Sequence, residues 1–123
     1  MYNRFMDSTL KIEVKPTDEE NKFQIIAFFG EFDKAGYNEV RDELNKSVEG
    51  FSAKSLVFDF TELRFINSEG IGYLMEVHTH LIQQDKKLVV VGLNAHVKDV
   101  FSAIGMKEIV PSFETEEEFL KSL

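Results

Sequence analysis

Cysteine is absent from this chain, which excludes structural disulfides and thiolate-bound metal and agrees with a cytoplasmic location. Positive charge is scarce: 14 Lys and Arg face 22 Asp and Glu, for a formal net charge of −8. Nucleic-acid binding needs a cationic surface that displaces counterions from phosphates, so no nucleic-acid partner is expected. The densest basic spot, Lys86-Lys87, reads as a solvated turn. An acidic surface instead favours encounters with basic protein faces. No apolar run is long enough to span a membrane, so no membrane insertion is expected. Met1 to Leu10 is polar and does not read as a signal peptide. P-loop, nucleophile-elbow and zinc signatures are also missing. The chain has only three histidines. His78 falls on an apolar helical stripe and reads as a hydrogen-bonded core residue. His80 forms an i,i+4 pair with Glu76 on the outer side, a weak metal candidate, and His96 stands alone. These absences leave no catalytic residue, cofactor or metal to assign, so the chain is not read as an enzyme.

Apolar material, by contrast, is ample: 43% of residues are hydrophobic and 12 are Phe, enough for one folded core. The length fits a single domain, with an N-terminal arm over residues 1–9 carrying Tyr2, Phe5 and Met6, and the domain over residues 10–123. Leu10, Ile12 and Val14 alternate with Lys11, Glu13 and Lys15, the period of a half-buried strand. A polar turn over Pro16 to Asn21 leads into the apolar run Phe23 to Phe29, a more central strand. The short connection makes the two an antiparallel hairpin, and Gly30 is read as the end of the second strand. Tyr37, Val40, Leu44 and Val48 then recur at helical spacing over Lys34 to Val48, with Gly50 as a stop.

Leu56 to Phe60 reads as the third strand. Ile71, Leu74, Met75, Val77, His78, Leu81 and Ile82 form a helical stripe over Glu69 to Gln84, and Leu88 to Val91 is an internal strand. Asn94 is placed as the cap of a short helix closed by Gly105. Ile109-Val110 is expected to be an edge strand. Thr115 and Glu118 have capping-box spacing for a last helix. The order β-β-α-β-α-β-α-β-α predicts an α/β fold: one domain with a mixed, mostly parallel sheet of about five strands and about four helices.

The segment Asp59 to Gly72 is the most informative. In open α/β sheets, sites form at the carboxyl ends of strands. Ser68 falls at or beside a helix start there, where free N–H groups and the helix dipole favour a negative group. A phosphoryl group would add about −1.5 to −2 charges and several acceptor oxygens. Gly70 and Gly72 leave one side of the first turn bare for another backbone to approach. Spacing alone favours the plainer reading, in which Asn67 and Ser68 merely cap the helix and the glycines relieve packing, because Asn and Ser at a helix start are most often caps.

The run Asp59-Phe-Thr-Glu-Leu-Arg-Phe-Ile-Asn-Ser-Glu-Gly-Ile-Gly72 resembles the core motif of STAS domains of the anti-sigma factor antagonist type. Gly30-Glu31-Phe32-Asp33 is similar to that family's Gly-Glu-Leu-Asp. Val89 to Asn94, Val97 to Phe101 and Ile104-Gly105-Met106 are similar to its last strand and helix. The resemblance covers about residues 10–121 and implies a bacterial partner-switching regulator that is a STAS domain from residue 10 onward. It would bind a serine kinase anti-sigma factor while Ser68 is unphosphorylated, be released when the kinase phosphorylates Ser68, and be restored by a serine phosphatase. It further implies a partner-binding face made of Asp33, Asn67, Ser68, Glu69, Gly70, Ile71 and Gly72. Read alone, Asp33 is a helix cap. Polar outer faces lead us to expect a monomer.

Two positions depart from the family pattern. Asn67 stands where an aspartate is usual, keeping hydrogen-bonding capacity without the charge. Glu69 replaces a small residue, and its fixed negative charge suits a helix N-terminus yet repels a phosphate. The alternative is a non-switching STAS scaffold, such as a subunit of a lipid-transport complex or of another signalling pathway. A response-regulator receiver built on Asp59 is disfavoured, because its acidic magnesium pair would have to follow a first strand that here runs into another strand.

Overall fold

The computed structural model describes residues 9–123; Tyr2, Phe5 and Met6 of the arm lie outside the described residues. The elements are β1 (Leu10–Val14), β2 (Phe23–Phe32), α1 (Lys34–Gly50), β3 (Ser55–Ile66), α2 (Ser68–Ile82), β4 (Lys87–Val91), α3 (Ala95–Ile104), a 3-10 turn (Met106–Glu108), β5 (Ser112–Phe113) and α4 (Glu116–Lys121). They form one five-stranded sheet in the order β1-β2-β3-β4-β5. β1 runs antiparallel to β2, and every later pair is parallel. The expected α/β class, hairpin and order of elements are therefore observed.

Strand order equal to chain order has a consequence for the layers. β-α-β crossovers are right-handed, so steps that all advance the same way across a sheet send their helices to the same face. α1, α2 and α3 accordingly bury Val40, Leu44, Leu74, Val77, Leu81, Val97 and Phe101 in one core with Ile26, Phe28, Phe58, Phe60, Leu88 and Val90. Phe28 is its hub, with ring centroids 4.8 Å from Phe58, 5.2 Å from Phe60 and 5.5 Å from Phe32. The alternate residues Ile25, Val57, Val89 and Val91 point to the second face, where Phe119 of α4 joins them. Phe119 is edge-on to both Phe23 and Phe113.

α1 and α2 shift by one or two residues, to Lys34–Gly50 and Ser68–Ile82, and three strands differ more from those read in the sequence. β2 does not end at Gly30 but continues to Phe32. Gly30 adopts φ +112, and a Cβ there would lie 2.1 Å from Thr9 O. The glycine therefore admits the backbone of residue 9, which accepts from Glu31 N–H at 2.6 Å, at a shift in register. β3 runs on from Phe60 to Ile66 because the lengthened β2 supplies pairing partners, ending with Phe32 opposite Ile66. Asp59 is thus inside β3, opposite the last residue of β4. The fifth strand is Ser112–Phe113, not Ile109-Val110. The N–H groups of Ile109 and Val110 turn back to Met106 O, and Val110 is fully buried as a plug. Tyr73, left out of the apolar stripe of α2, is buried as well. His78 is half-buried, and its Nδ1 lacks the hydrogen bond expected of it.

Phe119→Ala removes the one α4 ring in the second core. It should cost about 3 kcal/mol, within the usual range for Phe-to-Ala cavities, read as a lowered urea midpoint. A change below about 1 kcal/mol would mean that α4 does not hold this face.

Candidate functional site

The parallel pairing of Phe32 with Ile66 places the next residue of each strand, Asp33 and Asn67, side by side at the carboxyl edge of the sheet, one strand spacing of about 4.8 Å apart. Each begins a helix. Asp33 is the N-cap of α1, its Oδ1 accepting from Gly36 N–H at 2.8 Å. Asn67 is the N-cap of α2, its Oδ1 accepting from Glu69 N–H at 3.0 Å and Gly70 N–H at 3.5 Å. Asn67 N–H donates to Phe32 O at 3.3 Å, tying the two caps to one another. A third cap, Asn94 of α3, accepts from Val97 N–H and donates through Nδ2 to Leu63 O of the β3 extension. The same edge thus carries the positive ends of three helix dipoles.

Capping is the work of Asn67, and Ser68 is left free of it. Ser68 is the first residue of α2 and is exposed, and among the described residues its hydroxyl has no hydrogen-bond partner. It opens onto a hollow that Tyr37, Glu69, Gly72, Tyr73 and Glu76 also line. The floor is aromatic: the Tyr37 and Tyr73 rings are 5.0 Å apart, and Phe32 stacks under Tyr37. Tyr73 Oη donates to Asn45 Oδ1 at 3.0 Å, which pins α2 to α1. Burial, followed by the negative fields of Tyr37, Glu76 and Glu49, pushes the Tyr73 phenol well above its usual range, so it stays a neutral donor. Tyr73 and Asn45 were missed in the sequence. The available signal was a tyrosine one turn beyond a glycine-rich helix start, but its partner lies on another helix.

The two glycines of the first turn have opposite surroundings. Gly72 is exposed, with nothing within 4 Å of an added Cβ. Gly70 is buried: an added Cβ would lie 2.6 Å from Ile66 Cγ1 and 2.8 Å from Phe32 O. The expectation that both glycines leave a bare side is corrected for Gly70, whose missing side chain admits the protein's own Phe32. Ile71 is half-buried against the core, and Asp33 and Asn67 are half-buried as caps. Ser68, Glu69 and Gly72 are therefore the exposed members of the predicted face.

Upstream, Asp59 and Thr61 serve the fold. Asp59 Oδ1 accepts from Thr61 N–H at 2.9 Å and Thr61 Oγ1 at 2.6 Å. Gly92, at φ +77, packs against that pair, where a Cβ would lie 2.1 Å from Thr61 Oγ1. His96 stacks on exposed Phe65 at 5.2 Å, and His80 shares a hydrogen bond with Gln84. Among the described residues no cluster of three or more His, Cys, Asp or Glu could hold a metal ion, and no helix is long and apolar enough to cross a membrane.

Gly70→Ala should destabilise the fold by about 1–3 kcal/mol through overpacking, whereas Gly72→Ala should stabilise it by up to about 1 kcal/mol as an exposed helical glycine replaced. Denaturant titration of the pair decides this, and equal effects would contradict the two environments. Asn67→Ala should cost about 1 kcal/mol as a lost cap, with Asn67→Asp close to neutral.

Comparison with known proteins agrees with this fold. A family model of the STAS domain matches residues 13–119. Among solved structures, an anti-sigma factor antagonist from Mycobacterium paratuberculosis has a TM-score of 0.74 at 16% identity, covering 94% of each chain. The anti-sigma factor antagonist SpoIIAA in its unphosphorylated form gives 0.72 at 19% identity, covering 91% of this chain and 95% of that one. The Bacillus cell fate determinant SpoIIAA in its phosphorylated form gives 0.66 at 18% identity, covering 91% of this chain and 98% of that one. At such identities the likeness is one of fold.

Proposed function

The chain belongs to the STAS domain family, and from that premise we propose that it is an anti-sigma factor antagonist whose partner binding is switched by phosphorylation of Ser68. The reading rests above all on the freedom of the Ser68 hydroxyl: a neighbouring asparagine caps the helix, and Ser68 is exposed and has no hydrogen-bond partner among the described residues, at the edge where α1 and α2 begin. A serine that served as the cap would be held to the backbone and costly to modify.

In this reading Ser68, Glu69 and Gly72 form the partner-facing surface, Asn67 and Asp33 hold the two helix starts in place, and Gly70 and Ile71 seat the first turn on the core. The partner is a serine kinase anti-sigma factor, and a serine phosphatase restores the binding form. In this reading the chemistry of phosphoryl transfer belongs to those partners, and this chain supplies the acceptor. A phosphoryl group on Ser68 needs no refolding, because the helix N-terminus tolerates added negative charge. It acts at the interface, where a dianion pressed into a dry contact loses hydration without gaining a matching charge. That costs on the order of 2–5 kcal/mol, about thirtyfold to a few thousandfold in affinity. Glu69 already places one carboxylate beside the acceptor and repels the incoming phosphate, a cost that the helix N-terminus offsets in part.

Intact-mass spectrometry of the protein from its native cells, with fragmentation, tests the switch. The expected result is a phosphoryl mass on Ser68 that disappears in Ser68→Ala. The co-purifying kinase should bind Ser68→Asp at least about thirtyfold more weakly than Ser68→Ala. Full coverage without phosphate across several growth conditions would overturn the switch in favour of a constitutive STAS scaffold.

A further inference from the structure

Below Ser68 the seam between α1 and α2 stays open as a groove. A second hollow, which Glu49 and His80 help to line, continues from the first, and the two share Tyr73 and Glu76. The floor carries the Tyr37 and Tyr73 rings, 5.0 Å apart and inclined at 44°. The rim carries Glu69, Glu76 and Glu49, all exposed. None of the three has an ion-pair partner among the described residues, and no lysine or arginine lines either hollow. The lining thus carries carboxylates with no lysine or arginine among them; the Tyr73 phenol, raised first by its burial, is raised further by Glu76 and Glu49.

Aromatic faces below and carboxylates above suit one kind of group. A guanidinium stacks on a tyrosine ring and offers its fork of donors to carboxylates, while an ammonium is more strongly hydrated and lacks the flat face. We propose that the α1–α2 groove is a docking channel for an arginine-bearing segment of the partner protein, with Glu76 and Glu49 as its charge anchors and the Tyr37–Tyr73 floor as its apolar seat. This rests on reading the Ser68 edge as the partner interface, with which the groove is continuous through Glu69 and Gly72. It adds a second contact, governed by different chemistry. Ser68 and Glu76 are eight helical positions apart, about 12 Å along the axis. That is roughly one Debye length at 0.1 M salt. A phosphoryl group on Ser68 thus excludes the partner locally, while attraction at Glu76 and Glu49 is set by sequence and by ionic strength. The groove selects the partner and Ser68 times its release.

The test is an amide NMR titration of the full chain with an acetylated amphipathic peptide carrying arginines four residues apart, beside the same peptide with glutamines. Shifts should concentrate at Tyr37, Glu49, Gly72, Tyr73 and Glu76. Binding should weaken about tenfold in the Glu49→Gln/Glu76→Gln double variant, two charge pairs in the upper half of the exposed range. The glutamine peptide should bind at least about tenfold more weakly. Shifts spread over other acidic segments such as Glu114 to Glu118, equal affinity for both peptides, or an unaffected double variant would each overturn the proposal. None of these readouts depends on phosphate at Ser68, so loss of the switch and loss of the groove are told apart. The glutamine substitutions are isosteric and exposed, and the spectrum itself reports whether the fold survives.

Discussion

The handedness of the β-α-β crossover organises this molecule. Four parallel strands in chain order are joined by three single steps across the sheet, and a right-handed step repeated in one direction can deposit its helices on one face alone. That gives a thick face, where three helices close over the phenylalanine core, and a thin face whose helical cover is the short α4, anchored by Phe119. It also brings the N-termini of α1, α2 and α3 to one edge. The position of the candidate site follows from this constraint before any particular side chain is considered.

Side chains then decide what that edge can do. Three caps use Asp33, Asn67 and Asn94, and in α2 this choice leaves the following serine without a hydrogen bond among the described residues. The packing beneath is unforgiving: Gly70 stands against Phe32 and Ile66, and Tyr73 is held by Asn45 across the helix seam. A rigid first turn presenting a free hydroxyl is well suited to a switch that alters charge and hydration without moving the backbone. Glu69 makes the surface more negative where the wider family pattern has a small residue, and with Glu76 and Glu49 it continues that charge down the seam. On the proposed reading, the partner's complementary charge is met along the groove, apart from the proposed acceptor Ser68.

Much of the fold was legible in the sequence because it rests on short-range patterns. Alternation revealed β1, helical spacing revealed α1 and α2, and local capping chemistry located the starts of α3 at Asn94 and α4 at Thr115, where the side chain accepts from Glu118 N–H. The failures share one cause, dependence on a distant strand. Gly30 read as a terminator because its close approach to Thr9 is invisible locally. Thr61 to Ile66 read as a loop because its polar residues and irregular register become a strand only against the lengthened β2. Ile109-Val110 had the composition of a strand, yet Val110 was needed as a core plug and the ladder to β4 fell on Ser112–Phe113.

By itself the sequence determined the class of fold, the order of elements and the segment in which a site would form, because periodicity, caps and motif residues act within a few positions of one another. It also confined the candidate acceptor to Ser68. Only the tertiary structure decided that Asn67 and not Ser68 caps α2, that Gly70 is closed and Gly72 open, and that Tyr37, Tyr73, Glu49 and Glu76 belong to one groove. Those outcomes depend on which atoms of separate strands and helices meet, and that is fixed by the parallel register of β2 and β3 and by the packing of α1 on α2.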